Sequence, residues 1–206
     1  MTTDRTDFNE TWLAEMPQRT VIADYYQNLV DSIHDLIKHG KIPQDIQPNI
    51  KKIVLRTVAY YWYQEDNIIQ LAVELTKKPQ AFQVRLIGKN PTLQGKPPYA
   101  SDLYDVILND AKQAIRIESD TLLTDEGFKI WQQLFKNGHK ISVYDENNLG
   151  KSFQTLNSLE DFTKYFGGRD SRRYTFVLNE SSFLAETRSF FNTRRIRELA
   201  GLNLED

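Results

Sequence analysis

Cysteine is absent from the 206-residue chain, which removes disulfides, thiolate nucleophiles and cysteine-ligated zinc or iron–sulfur centres together. Histidine occurs three times, as His34, His39 and His139, and the first two fall on different faces of any helix that holds them. No histidine metal site is expected from that spacing. Asp102, Asp105, Asp110, Glu118 and Asp120 make an acidic stretch, but without the spacing of a metal centre they read as a solvated face, so the expected metal is none. Glycine and proline number only 9 and 7, too few for a low-complexity or disordered chain. No stretch approaches the roughly 20 apolar residues that cross a bilayer. The opening MTTDRTDFNETW has no apolar core of signal-peptide length, so a cytoplasmic protein without a membrane partner is expected. A formal charge of -2 gives no global attraction to nucleic acid or anionic lipid.

What the chain does contain is an ordinary folding composition, 40% hydrophobic and 26% charged, at a length for which one domain is the default. Residues 1–19 are polar, with isolated Phe8, Trp12 and Leu13, and read as an arm; 20–206 read as a single α/β domain. From Thr20 to His39 the positions Ile22, Tyr25, Tyr26, Leu29, Ile33, Leu36 and Ile37 recur at helical spacing, and Gly40 supplies a stop. The stripe is read as core-facing. The period then changes. Ile53–Tyr63 is β-branched and aromatic, Ile69 to Leu75 alternates, and Phe82, Val84 and Leu86 alternate again, with turns at 64–67 and 77–79. A three-stranded antiparallel meander is predicted.

A Gly/Pro-bearing loop from Gly88 to Pro98 follows, then a helix over 100–112 and a short strand at Ile115 and Ile117. Thr124 caps a second helix that runs to Asn137-Gly138, and Ile141 and Val143 give another strand. Strand, helix, strand in this order implies a right-handed crossover between parallel neighbours, so the sheet is mixed. Beyond Asp145 the pattern gives a turn at 147–150, a short helix over 158–166, a strand over 173–178 and one or two helices over 181–200.

The order of elements from Ile53 to Val143 resembles the core of the GNAT superfamily of N-acetyltransferases, over just under half of the chain. The matching loop is Gln94-Gly95-Lys96-Pro97-Pro98-Tyr99-Ala100-Ser101-Asp102-Leu103. In that family the loop binds the pyrophosphate of acyl-CoA through backbone N–H groups and a helix N-terminus, an anion site built from orphan amides and the helix dipole. The resemblance implies acetyl-CoA as cofactor, held by Gln94, Gly95, Lys96, Tyr99, Ala100 and Ser101. Ala100, Ser101 and Leu103 fit the end of the family pattern, whereas Pro98 stands where its central glycine would be, and Pro97 and Pro98 have no N–H to offer. The stretch Glu118 to Leu134, with Gly138 beyond, resembles the family's strand-to-helix segment, and the position of its general-acid tyrosine is Leu134 here. The acid would then be Tyr99 or Tyr144, and Glu118, at the carboxyl end of a crossover strand, is the candidate base. A competing reading of Glu118 is a surface carboxylate paired with Arg116 or Lys140.

The implied activity is transfer of an acetyl group from acyl-CoA to a small-molecule or protein amine. The alternative is a non-catalytic module on the same scaffold, a bacterial or phage accessory protein, that presents the arm, the sheet or the C-terminal helix to a protein or nucleic-acid partner. That C-terminal part carries Arg169, Arg172, Arg173, Arg188, Arg194, Arg195 and Arg197 with Tyr174, Phe190 and Phe191 among them, a combination that can grip phosphates and stack on bases. Asp170, Glu180, Glu186 and Glu198 dilute the charge, and Phe183, Leu184, Phe191, Ile196 and Leu199 look like a packing stripe, which favours a solvated or partner-facing helix.

Overall fold

β-Branched and aromatic residues at alternate positions fit a pleated, half-buried surface, and the central run of such residues is where the sheet forms. The computed structural model of the protein describes residues 18–79, 81–110, 116–120, 123–147, 153–166 and 173–179. Within them are strands β1 (Gln44–Gln47), β2 (Ile50–Val54), β3 (Val58–Glu65), β4 (Ile68–Lys78), β5 (Ala81–Lys89), β6 (Arg116–Glu118), β7 (Ile141–Asp145), β8 (Gln154–Thr155) and β9 (Tyr174–Asn179). The helices are α1 (Gln18–Lys38), α2 (Ala100–Asp110), α3 (Asp125–Lys136) and α4 (Leu159–Thr163). Hydrogen bonding orders the strands β1-β2-β3-β4-β5-β6-β9-β7-β8. The class is α/β with a mixed sheet, as the sequence predicts: β5 and β6 pair in parallel, and β9 is antiparallel to both β6 and β7.

Four features differ from the sequence reading. The expected strand over Ile53–Tyr63 is two strands, β2 and β3, which fold back on each other with Ile50 opposite Tyr63 and Val54 opposite Ala59. The reversal at 55–57 contains neither glycine nor proline, so nothing in the composition marks it. Short β1 pairs with β2 and lengthens the meander from three strands to five. Finally, β9 lies between β6 and β7, so the two strands that flank α3 are not neighbours. The short helix predicted over 158–166 is confined to Leu159–Thr163.

The chain forms two compact units. One comprises the described residues up to Leu55, with Ala59–Glu74 and Leu86–Tyr99. Its core joins Leu29 and Ile33 of α1 to Ile53, Trp62, Ile69 and Ala72. Gly88 permits this packing, because a Cβ there would stand 2.6 Å from the Cα of Tyr26, and the Tyr26 hydroxyl donates to the carbonyl of Ile69 at 2.5 Å. Tyr25 and Ile37 of the predicted stripe are exposed, so the buried face is narrower than the periodicity suggests. β3 and β4 meet through Asp66-Asn67, both at positive φ (49 and 64), a type I′ hairpin that asparagine and aspartate tolerate.

The other unit comprises 56–58, Leu75–Arg85 and the described residues from Ala100 on. Here α3 and α4 pack aromatic side chains on one face of β9: Phe128, Trp131 and Phe162 all surround Phe176, with ring centroids 5.9, 6.1 and 5.5 Å away. Thr124 caps α3 by accepting from the Gly127 N–H. At its other end Gly138 (φ 91) lets the N–H groups of Gly138 and His139 reach the carbonyls of Phe135 and Leu134, a Schellman closure. Because side chains alternate along a strand, the residues beside Phe176 and Leu178, namely Thr175 and Val177, point to the other face.

Candidate functional site

The loop between β5 and α2 is built by turn chemistry. Pro91–Leu93 forms a 3-10 turn, and Gln94 (φ -57, ψ 129) followed by Gly95 (φ 75) completes a type II turn in which the Lys96 N–H donates to the Leu93 carbonyl at 3.0 Å. The Gln94 N–H is engaged as well, with the Pro91 carbonyl. Gly95 is thus explained by its left-handed backbone. Lys89 donates to the carbonyl of Lys96 and sits 5.2 Å from the centroid of the Tyr99 ring. Of the residues predicted to face a pyrophosphate, Gln94, Gly95, Lys96 and Tyr99 are exposed and Ala100 is half-buried. Ser101 is buried, with its hydroxyl toward Asp102. In the first unit the Lys96 side chain is an exposed cation; in the second, the N–H groups of α2's first turn by helix geometry have no partner within the helix.

A second group forms on the face of β6, β9 and β7 opposite the aromatic core. Cross-strand register sets Glu118 opposite Val177, Val177 opposite Ser142, and Thr175 opposite Tyr144. Glu118 is only 1% exposed, and each of its oxygens takes a cation: Oε2 from Lys78 Nζ at 2.6 Å and Oε1 from Arg116 Nε at 2.8 Å. The pairing with Arg116 matches the competing reading, but the carboxylate is interior and its second partner is Lys78. Tyr144 is also buried, and its hydroxyl donates to Glu146 Oε1 at 2.9 Å. The Thr175 hydroxyl donates to the same oxygen at 2.9 Å. Burial, then the charge of Glu118, pushes the Tyr144 phenol well above its ordinary value and keeps it protonated. Phe153 closes the cluster, 5.2 Å from the Tyr144 ring in a T-shaped contact and 5.3 Å from the Arg116 guanidinium carbon.

The β5–β6 ladder consists of two residue pairs, Phe82 with Ile117 and Gln83 with Glu118. Pairing with β9 continues past it: the Ser119 N–H donates to the Phe176 carbonyl, and the Ser119 hydroxyl accepts from the Phe176 N–H. β5 meanwhile continues to Lys89. Glu118 therefore stands where the parallel pairing stops.

The structure brings Glu118 and Tyr144, two of the residues singled out from the sequence, to one cluster with Lys78, Glu146, Phe153 and Thr175, which were not singled out. Tyr144 and Glu146, two residues apart across the end of β7, share a face and were within reach of a strand-alternation argument; Thr175 was not, because it depends on the placement of β9. Among the described residues no group of three or more potential ligand side chains is placed to hold a metal ion, and no helix is long and apolar enough to cross a membrane. An open pocket of about 570 Å³ near the β1–β2 and β3–β4 turns is lined by residues including Asp45, Lys51, Gln64 and Asn67, and by none of the predicted site residues. The predicted N-terminal arm through residue 17, the C-terminal helices and all clustered arginines except Arg173 lie outside the described residues. Arg173 pairs with Asp145 at 3.2 Å.

The sequence matches no family profile and no curated protein. Among solved structures, it is similar to a Bacillus subtilis acetyltransferase in complex with CoA, at 18% identity and a TM-score of 0.38 over 61% of this chain and 79% of that one. It is also similar to a candidate acetyltransferase of the GNAT family from Bacteroides thetaiotaomicron, at 11% identity and a TM-score of 0.35 over 71% of this chain and 74% of that one.

Proposed function

We propose that the protein is a divergent acyl-CoA-dependent N-acyltransferase that uses acetyl-CoA and acts in the cytoplasm on an amine. The observation that carries this reading is the short parallel ladder, with a helix between its strands and a buried carboxylate at the point where pairing ends. Such a crossover aims a helix N-terminus and strand ends toward a ligand. Acetyl-CoA fits the anion donors at Lys96 and the start of α2 (Ala100, Ser101), with Gln94, Gly95 and Tyr99 alongside. Pro97 and Pro98 contribute no donor.

The bound thioester supplies the acyl carbon: a C–N bond forms as the C–S bond breaks, one proton leaves the amine and one reaches the departing thiolate. Glu118 is positioned as the base, and Lys78 or Arg116 must yield an oxygen before it can take that proton. Tyr144, held by Glu146, is the proton donor among the buried groups. Tyr99 belongs to the phosphate end, because the whole pantetheine arm separates the pyrophosphate from the sulfur. A strand amide against the thioester carbonyl would stabilise the developing oxyanion.

The engaged amides of Gln94 and Lys96 and the two prolines favour a second reading, a non-catalytic accessory module. Calorimetric titration with acetyl-CoA and with CoA separates the two. Micromolar or tighter binding, weakened at least tenfold by Ser101→Trp in a folded protein, supports the enzyme. No heat and no thermal stabilisation at millimolar ligand supports the module.

A further inference from the structure

Arg116 is only partly used by the contacts around it. Its Nε is committed to Glu118, and its guanidinium carbon lies 5.3 Å from the Phe153 ring centroid. The two Nη groups at its outer edge make no hydrogen bond among the described residues, and the side chain is 28% exposed. Phe153 is likewise bound on one side, by Tyr144 and Arg116, and 42% exposed. Lys78 gives one of its three N–H bonds to Glu118 and is 33% exposed. Two cations thus share the Glu118 carboxylate beside an accessible aromatic ring, while the cluster's other carboxylate, Glu146, is taken up by the Tyr144 and Thr175 hydroxyls.

A planar guanidinium with a free edge, already oriented by a carboxylate on one side and a ring below, is pre-organised for bidentate binding of a planar anion. A carboxylate is a planar anion of this kind, matching the fork with two parallel hydrogen bonds. Arg116 and Glu118 belong to one ion pair, 2.8 Å across. An amine placed at Glu118 and an anion placed on the Nη edge must therefore lie close together on one molecule. That is the arrangement of an α-amino acid, whose side chain would then run over Phe153.

We infer that Arg116, Phe153 and Lys78 form a subsite for the α-carboxylate and apolar side chain of the acceptor, which is an α-amino acid. The amine at Glu118, and with it the acceptor, rests on the acyl-transfer reading; the carboxylate and side-chain contacts at Arg116 and Phe153 do not.

The test is a calorimetric titration of the full chain, without cosubstrate, with L-norleucine and with L-norleucinamide, which differ in the carboxylate alone. L-Norleucine is expected to bind at least about tenfold more tightly, the range of a charge-assisted bidentate contact. Arg116→Lys, which keeps a cation for Glu118 but has no fork, should erase that preference. Phe153→Ala, at an exposed position with little risk to folding, should weaken L-norleucine more than glycine. Equal binding of the two ligands, no binding of either, or tighter binding of methyl phosphate overturns the subsite. A parallel acetyl-CoA titration keeps the two ideas apart. Acetyl-CoA binding without carboxylate preference sinks the subsite alone, and carboxylate preference without acetyl-CoA binding sinks the acyl-transfer reading and leaves the subsite standing.

Discussion

Replacing Glu118 by glutamine tests how the buried charge cluster is held. Glutamine keeps the shape and one acceptor oxygen but removes the charge that two cations now share. Breaking a fully buried ion pair by removing one partner typically costs about 3–5 kcal/mol, because the remaining charge is stranded away from water. Stranding is incomplete here, since Lys78 and Arg116 are 33% and 28% exposed and can turn toward solvent once released. What remains is the loss of two charge-assisted hydrogen bonds, offset by hydration of the freed cations, so the expected destabilisation is about 1–2 kcal/mol. For a chain of this size that lowers the midpoint of thermal unfolding by roughly 2–8 °C, readable by circular dichroism or calorimetry. Lys78→Met should cost at least as much, because it leaves the carboxylate, the most deeply buried member, with one cation. A wild-type melting point for both variants would show that the cluster behaves as a surface bridge. A loss of 4 kcal/mol or more in Glu118→Gln would show that the cations have no route to water. In an acetyl-transfer assay the same variant should lower kcat by about a hundredfold or more if Glu118 is the base, and unchanged kcat in a folded protein would remove it from the chemistry.

Gly88→Ala places a methyl group 2.6 Å from the Tyr26 backbone and must shift α1, at a cost of about 1–3 kcal/mol measured by urea unfolding; an unchanged midpoint would contradict the packing. Gly95→Ala meets no atom within 4 Å, so its cost is the left-handed backbone alone, about 1–2 kcal/mol, and a neutral result would show that the turn relaxes. Tyr144→Phe leaves Glu146 Oε1 with the Thr175 hydroxyl only, and in the acyl-transfer reading it should lower kcat with little change in acetyl-CoA affinity, as titration and steady-state kinetics would reveal. Asp161 closes the capping box of α4, and the Lys164 ammonium, then the Asn157 N–H, hold its carboxyl down at about 2. Its folded pKa is lower than its unfolded one, so its contribution is present above the ordinary carboxylate range and is lost as pH falls through about 2. Asp161→Asn should flatten that acid limb of the stability curve, and an identical limb would refute the assignment.

The legible parts of the fold were those whose information is local. Gly138 ends α3 because a left-handed residue is needed there, and Thr124 starts it because its hydroxyl satisfies an orphan amide; both can be read directly from the chain. The reversal between β2 and β3 carries no such mark. Its position follows from pairing Val54 with Ala59, which neighbouring composition cannot reveal. β9 is the clearest case. Its strand character follows from alternation over Tyr174–Asn179, yet its place between β6 and β7 is fixed by contacts with residues tens of positions earlier in the chain.

That same placement explains why the site was only half legible. Glu118 could be singled out as the end of a crossover strand, but whether it was a free base or a held carboxylate depended on Lys78, which reaches it from β4, 40 residues away. Insertion of β9 sets Thr175 opposite Tyr144 and, through their common bond to Glu146, fixes which way the phenol points. It also takes up the amide of Ser119 at Phe176, beside Glu118, the last residue of β6 that pairs with β5. A strand inserted for sheet hydrogen bonding therefore determines which polar groups gather at the end of the parallel ladder. Substitutions that loosen β9, such as Phe176→Ala in its aromatic cluster, should accordingly disturb Glu118 and Tyr144 together, at a cost of about 3–5 kcal/mol. Loss of stability with the L-norleucine preference intact in the remaining folded protein would show that the cluster holds its geometry without that strand's support.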